Sequence, residues 1–376
     1  MIRPAKGVVV SLLCLGAGTL VVLACEDDPH RRTTPEQLQT AVGACSADPG
    51  KLPEPNCDNS DKKCDNPPGC SIDEAKCGSK STCLPIGDNK GKDVQDFRMR
   101  RLNIAAPTVL AGPLIQNTVV TLNIDLAAPE CGEPGKGLFT WLLRVDKKNN
   151  RLLTGGAPPS KDPFGQGFCF ATFQSASTKV QPLDVPIVFE GNTFHSTESK
   201  GDINIPIFLS DDVGSAIVLP ISNPRISGVT ISAEGNCIGA INLAALDNRC
   251  TETADLCQKW ATAGALGGFI TLERADAVRI RDLNNKSLCA FLSSEATETC
   301  ARDANKQIVF KGDYCSTTDS PGGCADSMWM AATFAASAAK IFDGKGTVEA
   351  CSGKVTETDA GTDAGDSGIA DAADGG

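Results

Sequence analysis

The sequence predicts a mainly β protein: a disulfide-stapled antiparallel β-sandwich or jelly roll, preceded by a small cysteine-rich module. Three observations predict it. From about Arg98 to Leu243, apolar and polar residues alternate at period two in run after run, as half-buried strands do. Gly, Pro, Asn and Asp interrupt those runs at short intervals, which is the turn chemistry of a multi-strand antiparallel fold. The chain also carries 18 cysteines against only 2 histidines, a supply better suited to cross-links than to metal sites.

At the N-terminus, Arg3 and Lys6 precede the apolar run "GVVVSLLCLGAGTLVVLA" (7–24), which stops at Cys25 and gives way to "EDDPHRR". A charged start followed by an apolar run is the layout of an export signal. An uncleaved membrane anchor is the alternative, since about 17 to 20 apolar residues can span a bilayer. The last four residues, Val22-Leu23-Ala24-Cys25, resemble the lipobox of bacterial lipoproteins, in words of that family an aliphatic residue, a tolerant position, a small residue and the cysteine. The resemblance covers about the first 25 residues. It implies a diacylglycerol on the Cys25 sulfur, cleavage before Cys25, acylation of the new amine (a palmitate-type modification), and membrane attachment through the lipid. In that family an aspartate directly after the cysteine retains some proteins in the inner membrane. Glu26 stands there instead, so the expected location is the cell envelope, at the outer membrane or cell surface.

Cleavage removes Arg3 and Lys6 and no acid, taking the net charge from −11 to −13. An acidic surface repels nucleic acid and anionic headgroups, which excludes both as expected partners. Loss of Cys14 with the signal and lipidation of Cys25 leave sixteen cysteines, an even number, as disulfide pairing in an oxidising compartment requires. No C-x-x-C occurs, so the tight pairs favoured by zinc are missing and no metal or cofactor is expected.

Residues 25–44 read as a flexible tether. The block 45–90 contains Cys45, Cys57, Cys64, Cys70, Cys77 and Cys83, separated mainly by Asp, Asn, Pro, Gly, Ser and Lys. So little apolar material needs cross-links in place of a core, and the spacing leaves the pairing open.

The main domain spans 97–351, with a possible split near 247. In "TVVTLNIDLA", Val120, Leu122, Ile124 and Leu126 alternate with Thr121, Asn123 and Asp125, which predicts a strand. "GLFTWLLRVD" places Phe139, Trp141, Leu143 and Val145 on one face, and "KKNN" offers a turn into "RLLT". Val185, Ile187 and Phe189 repeat the alternation, as do Ile203, Ile205, Ile207 and Leu209. Pro186 and Pro206 fall on the outward register of these strands, which predicts edge or bulged positions. After about Asp247 the texture changes. "CTETADLCQKWATAGAL" and "MWMAATFAASAAKIF" are Ala-rich and allow helices, while "GFITL" and "KQIVFKG" read as strands. The part beyond 247 is expected to close the same sandwich rather than to form a second domain. Cys131, Cys169, Cys237, Cys250, Cys257, Cys289, Cys300, Cys315, Cys324 and Cys351 supply five more bridges. A Cys131–Cys169 pair would staple the Trp141 hairpin. Residues 352–376, rich in Asp, Ala and Gly, are expected to be disordered, and Asp359, Asp363 and Asp366 lack the spacing of a calcium loop. This tail, the lipobox and the cysteine block together resemble cysteine-rich envelope lipoproteins of myxobacterial type. That likeness implies no activity.

Catalytic sets fail on inspection. His30 lies in the tether, and His195, in "NTFHSTESKGD", is expected in a loop beside Ser196, Glu198 and Ser199. Triad members meet through the fold rather than as sequence neighbours. "GEPGKG" (132–137) lacks the spacing and the hydroxyl of a phosphate loop. "SDKK" and "SAAK" satisfy Ser-x-x-Lys without the companion motifs. The carboxylates are too numerous for the sequence to single out a glycosidase-like pair. Three tryptophans and one tyrosine, Tyr314, leave few rings for a sugar platform, and Trp141, Trp260 and Trp329 are expected in the core. The expectation is therefore a non-enzymatic binding or structural protein of the envelope, its partners being other envelope proteins or extracellular polymer. The alternatives are a carbohydrate-binding or carbohydrate-active jelly roll and a small-ligand carrier.

Overall fold

The computed structural model describes residues 45–57, 84–128, 133–175, 178–197, 200–208, 210, 216–241, 259–280 and 283–342. The fold is mainly β, built on one large antiparallel sheet. Its principal strands are β1 (Val94–Ala106), β2 (Thr140–Asp146), β3 (Arg151–Ala157), β4 (Leu183–Glu190), β5 (Thr193–Ser196), β6 (Asp202–Ile207), β7 (Ile217–Ser227), β8 (Val229–Thr230), β9 (Ala265–Thr271) and β10 (Ser327–Ala338). Their order across the sheet is β6-β7-β9-β10-β1-β2-β3-β4-β5-β8.

The sheet curls until it meets itself. β7 and β8 are one run of chain, bent at Gly228, whose φ of +62° suits glycine. The first part pairs with β9 and the second with β5, so the path returns to the segment from which it set out. Ser196 Oγ reinforces this join by accepting from Ile226 N at 3.0 Å. Inward residues from nearly every strand, among them Phe97, Trp141, Leu152, Val185, Ile221 and Phe334, form one buried apolar cluster. The alternation read in the sequence is the cause: each strand gives every second side chain to that interior.

The Trp141 hairpin has the expected form, with Thr140–Asp146 paired residue for residue to Arg151–Ala157 across the turn Lys147–Asn150. The expected β character of "VPIVF" and "IPIF" also holds in β4 and β6, while Leu209 lies outside the described residues. Pro206 occupies an end strand, as its missing N–H requires. It is nevertheless buried, because β6 folds over β3 and Pro206 sits where a Cβ on Gly156 would come within 2.4 Å of its ring. Pro186 is not on an edge strand. It lies where β4 changes partner, pairing with Arg151 of β3 just before Ile187 pairs with Ser196 of β5.

Three local expectations are corrected. "TVVTLNIDLA" is not a strand. Its residues 118–124 lie in a helical run made of α1 (Thr108–Ala111), the π-helical α2 (Leu114–Thr121) and α3 (Leu122–Ile124), and only Ala127 is extended in a two-residue strand. The residues read as the polar face of a strand instead bond the helix's own carbonyls. Asn123 Nδ2 donates to the carbonyls of Thr118 and Val119, and Thr121 Oγ1 to that of Gln116. "MWMAATFAASA" is not helical; it is β10, buried almost throughout between β1 and β9. Its helix propensity is overridden because a central strand covered on both faces accommodates small side chains, and propensity is a weak prior against tertiary packing. "KQIVFKG" forms no strand beyond a single bridge between Arg302 and Ile308. Asp303 Oδ1 takes the N–H groups of Asn305 and Gln307, which makes that stretch a turn. Of "CTETADLCQKWATAGAL", residues 250–258 lie outside the described residues, whereas Trp260–Ala261 and β9 are extended. With β9 and β10 in the middle of the sheet, residues from beyond 247 are integral to it.

Candidate functional site

The outer face of the sheet is where the covering segments meet it and where polar and charged groups gather. One centre lies over β9 and β10. Trp329 of β10 is fully buried there, with Tyr314 5.1 Å from it and Phe269 of β9 5.4 Å from Tyr314, ring centre to ring centre. Leu52 and Ala47, from the loop closed by Cys45–Cys57, pack on the same cluster, and Trp329 Nε1 donates to Lys51 O at 2.9 Å. The part of the cysteine-rich segment that is described thus docks on the barrel-like sheet and shares its apolar surface.

A register shift in β7 between Ser222 and Arg225 aims the Arg225 guanidinium at this cluster. Its Cζ stands 5.5 Å from the Trp329 ring centre, and Nη2 reaches Asp319 Oδ2 at 2.5 Å. Tyr314 OH donates to Asp319 Oδ1 at 2.9 Å. Asp319 is carried on the loop that Cys315–Cys324 closes. Burial, then the bond to Asp319, pushes the Tyr314 phenol up from its ordinary value, so at neutral pH it is a hydrogen-bond donor and not a nucleophile. Tyr314 is the only tyrosine, so its ionisation can be followed alone. The phenolate absorbance of the folded chain is expected to titrate above the ordinary value near 10, and the titration of an Asp319→Asn variant to lie lower. Because the folded value is the higher one, this stabilisation is complete below the unfolded pKa and disappears as pH rises through the folded one.

Nearby, burial raises the carboxyl of Asp313, which accepts the Trp329 N–H at 2.7 Å. That bond spends the carboxyl on holding the start of β10.

A second centre joins α4 (Leu272–Ala277) to α5 (Leu288–Leu292). Ser287 caps α5 by accepting from Ala290 N, and itself donates to Asp276 Oδ1 at 2.8 Å. Asp276 also takes Cys300 N at 2.9 Å and Arg302 Nη2 at 2.8 Å. Burial opposes its charge, but the Cys300 N–H, Arg302 and Ser287 outweigh it and hold the carboxyl below the usual range. Cys289–Cys300 closes the same unit.

Two groups have metal-like proximity, Asp276 with Cys289 and Cys300, and Asp326 with Cys315 and Cys324. In each, the two sulfurs are bonded to one another, so no thiolate is available to ligate.

The expected cysteine set is thereby partly located. Cys45–Cys57, Cys289–Cys300 and Cys315–Cys324 are bridged, and Cys169 and Cys237 are also disulfide-bonded. Cys25, Cys64, Cys70, Cys77, Cys83, Cys131, Cys250, Cys257 and Cys351 lie outside the described residues, and with Cys131 the proposed staple of the Trp141 hairpin.

His195 is not in a loop. It is in β5, paired with Val188, because the alternation Thr193–Ser196 continues through it with Phe194 inward. Its neighbour Ser196 bonds the Ile226 main chain rather than the imidazole, and Glu198 and Ser199 lie outside the described residues. Of "SAAK", Ser337 Oγ accepts from Arg100 Nη1 at 3.0 Å and Lys340 Nζ donates to Gly165 O at 2.7 Å, so the two serve different contacts. In "GEPGKG", Gly135 lies against Asp125, where a Cβ would come within 2.2 Å of the Asp125 carbonyl oxygen, leaving no room for a phosphate. Trp141, Trp260 and Trp329 are buried, as expected, and so is Tyr314, which removes every tryptophan and tyrosine ring from use as a sugar platform.

Sequence reasoning missed the arginines. Arg98 and Arg100 project from the outer face of β1 and are buried beneath covering segments, with Cζ 5.5 Å from the Phe168 ring centre and 5.1 Å from that of Trp260. Arg144 of β2 forks onto Asp96 at 2.7 and 3.1 Å and lies 6.0 Å from Phe170. "FRMRR" carried a signal for this in its alternation with Phe97 and Met99, but the same pattern describes a solvated strand face.

Comparison with family models, curated proteins and solved structures finds no match. Fold and sites together define a class: a disulfide-stapled, mainly β protein built on one large curled antiparallel sheet, whose described polar clusters tie covering loops to that sheet. Among the described residues, no helix is long and apolar enough to cross a membrane.

Proposed function

We propose that this chain is an exported, lipid-anchored cell-envelope protein with a binding or structural role and no catalytic activity. One observation carries the reading: all eight cysteines among the described residues are disulfide-bonded, as proteins of oxidising compartments are and cytosolic ones rarely are. The lipobox Val22–Cys25 supplies the anchor. A single acyl chain binds a membrane marginally, so two or more on residue 25 are needed for stable attachment. Glu26 favours the outer membrane or surface. The internal use of the Asp276, Asp319 and Arg225 side chains supports a structural or recognition role over chemistry, with other envelope proteins or extracellular polymer as partners.

Intact-mass analysis of the native product, alkylated while unfolded and unreduced, tests this in one measurement. The expected mass is that of a chain beginning at Cys25, acylated, with no alkylated thiol, and Cys25→Ala is expected to abolish both acylation and cleavage. A retained leader, an unacylated residue 25 or several alkylated thiols defeats the reading.

A further inference from the structure

Residues 114–126 satisfy two periodicities at once. As a strand, Val120, Leu122, Ile124 and Leu126 share one face. In the helical run, Val120 and Ile124 are one turn apart and both buried, with Leu122 half-buried, and Leu126 is buried just beyond the helix end at Ile124. The same apolar set therefore serves either conformation. Composition favours the strand: Ile115, Thr118, Val119, Val120, Thr121 and Ile124 are β-branched, and such residues lose side-chain freedom in helices. The helix adopted is also an unusual one. π-geometry normally occurs as single-turn bulges, yet here it runs from Leu114 to Thr121. Its carbonyls are helped by side chains, Thr118 Oγ1 onto Leu114 O among them.

The neighbouring sheet edge fits the second conformation. β1 pairs with β2 only from Val94 to Arg98, although it continues to Ala106 and is paired with β10 to its end. On the β2 side beyond Arg98, among the described residues, a side-chain amide takes the place of a paired strand. Gln116 Oε1 accepts Ile104 N at 2.9 Å, and Gln116 Nε2 donates to Leu102 O at 2.8 Å, the two bonds a neighbouring strand's peptide groups would make.

We propose that residues 114–126 are a helix-to-strand switch whose alternative state pairs with the edge of β1 at Leu102 and Ile104 that the Gln116 amide now covers. Conversion exchanges the Gln116 bonds, the hydroxyl and amide contacts of the helix and the bonds that Leu122 O, Asn123 O and Asp125 O accept from Lys136 N, Phe139 N and Gly137 N for a main-chain ladder, while Val120, Ile124 and Leu126 keep an apolar environment. Two packings of one segment separated by a small free energy are the condition for such a switch. Local preference set against tertiary conformation is how it shows in a sequence.

Chemical-exchange saturation transfer on the deuterated full chain reads the minor state through its Cα shifts. The expected result is a minor state with strand shifts over 118–126. Its population is expected to rise about tenfold in Gln116→Ala, which removes the two bonds holding the helix to β1, and to fall about twofold in Val119→Ala, which raises helix propensity and removes no side-chain hydrogen bond. A minor state with coil shifts overturns the proposal. So does the absence of any minor state in both wild type and Gln116→Ala. Should Gln116→Ala fail to fold, comparison of wild type with Val119→Ala decides: a strand-like minor state that falls in the variant supports the switch, and no such state in wild type sinks it.

Discussion

Trp329→Ala is expected to destabilise the folded chain by about 3–5 kcal/mol, the range for removing a large buried aromatic side chain. The ring is fully buried and is the piece around which Phe269, Tyr314, Leu52 and the Arg225 guanidinium are arranged. Alanine leaves a cavity that a sheet surface cannot close, because β10 is pinned by β1 on one side and β9 on the other. It also releases Lys51 O from its bond to Nε1, so the Cys45–Cys57 loop is expected to become the first site of limited proteolysis. Trp329→Phe keeps most of the ring and loses that bond, and is expected to cost less than half as much. Urea unfolding followed by far-ultraviolet circular dichroism measures both. An alanine variant within about 1 kcal/mol of wild type would show that the cluster is not the keystone of this face.

Asp276→Ala is expected to cost about 2–4 kcal/mol, because it strands the Cys300 N–H and the Ser287 hydroxyl in a buried site and takes from Arg302 one of its two carboxylate partners, leaving Glu273 and the Lys306 carbonyl. The effect has a pH signature. The Asp276 carboxyl is held below its ordinary range, so the stability it contributes is present above the unfolded carboxyl value of about 3.9 and is lost as pH falls through the lower folded value. The gap between wild type and Asp276→Asn is therefore expected to be full at pH 7 and to shrink steadily below about pH 4. A gap that stays constant down to strongly acid pH would mean the aspartate acts through shape rather than charge.

Much of the fold was legible residue by residue where one face of a strand meets the interior and the other does not. The Trp141 hairpin and β4 are such cases, since their alternation reports the difference between the two sides directly. β10 was not legible because it is buried on both faces, so alternation disappears and its small residues look helical. The helical run 108–124 was not legible because its apolar spacing fits both periods; the deciding contact, Gln116 onto Leu102 and Ile104, joins residues that no periodicity relates. The polar centres were hidden for a similar reason. Asp276 meets Arg302, and Arg225 meets Asp319, only after the chain has folded.

By itself the sequence determined that this is a disulfide-rich, mainly β chain, because period-two alternation and cysteine supply are properties of composition and order. Only the tertiary structure decided that the sheet curls back to join β5 with the β7–β8 run, that an Ala-rich segment becomes its central strand, and that charged side chains are locked beneath covering loops. Those outcomes depend on which surfaces are buried against each other, and burial is set by contacts between residues far apart in the chain.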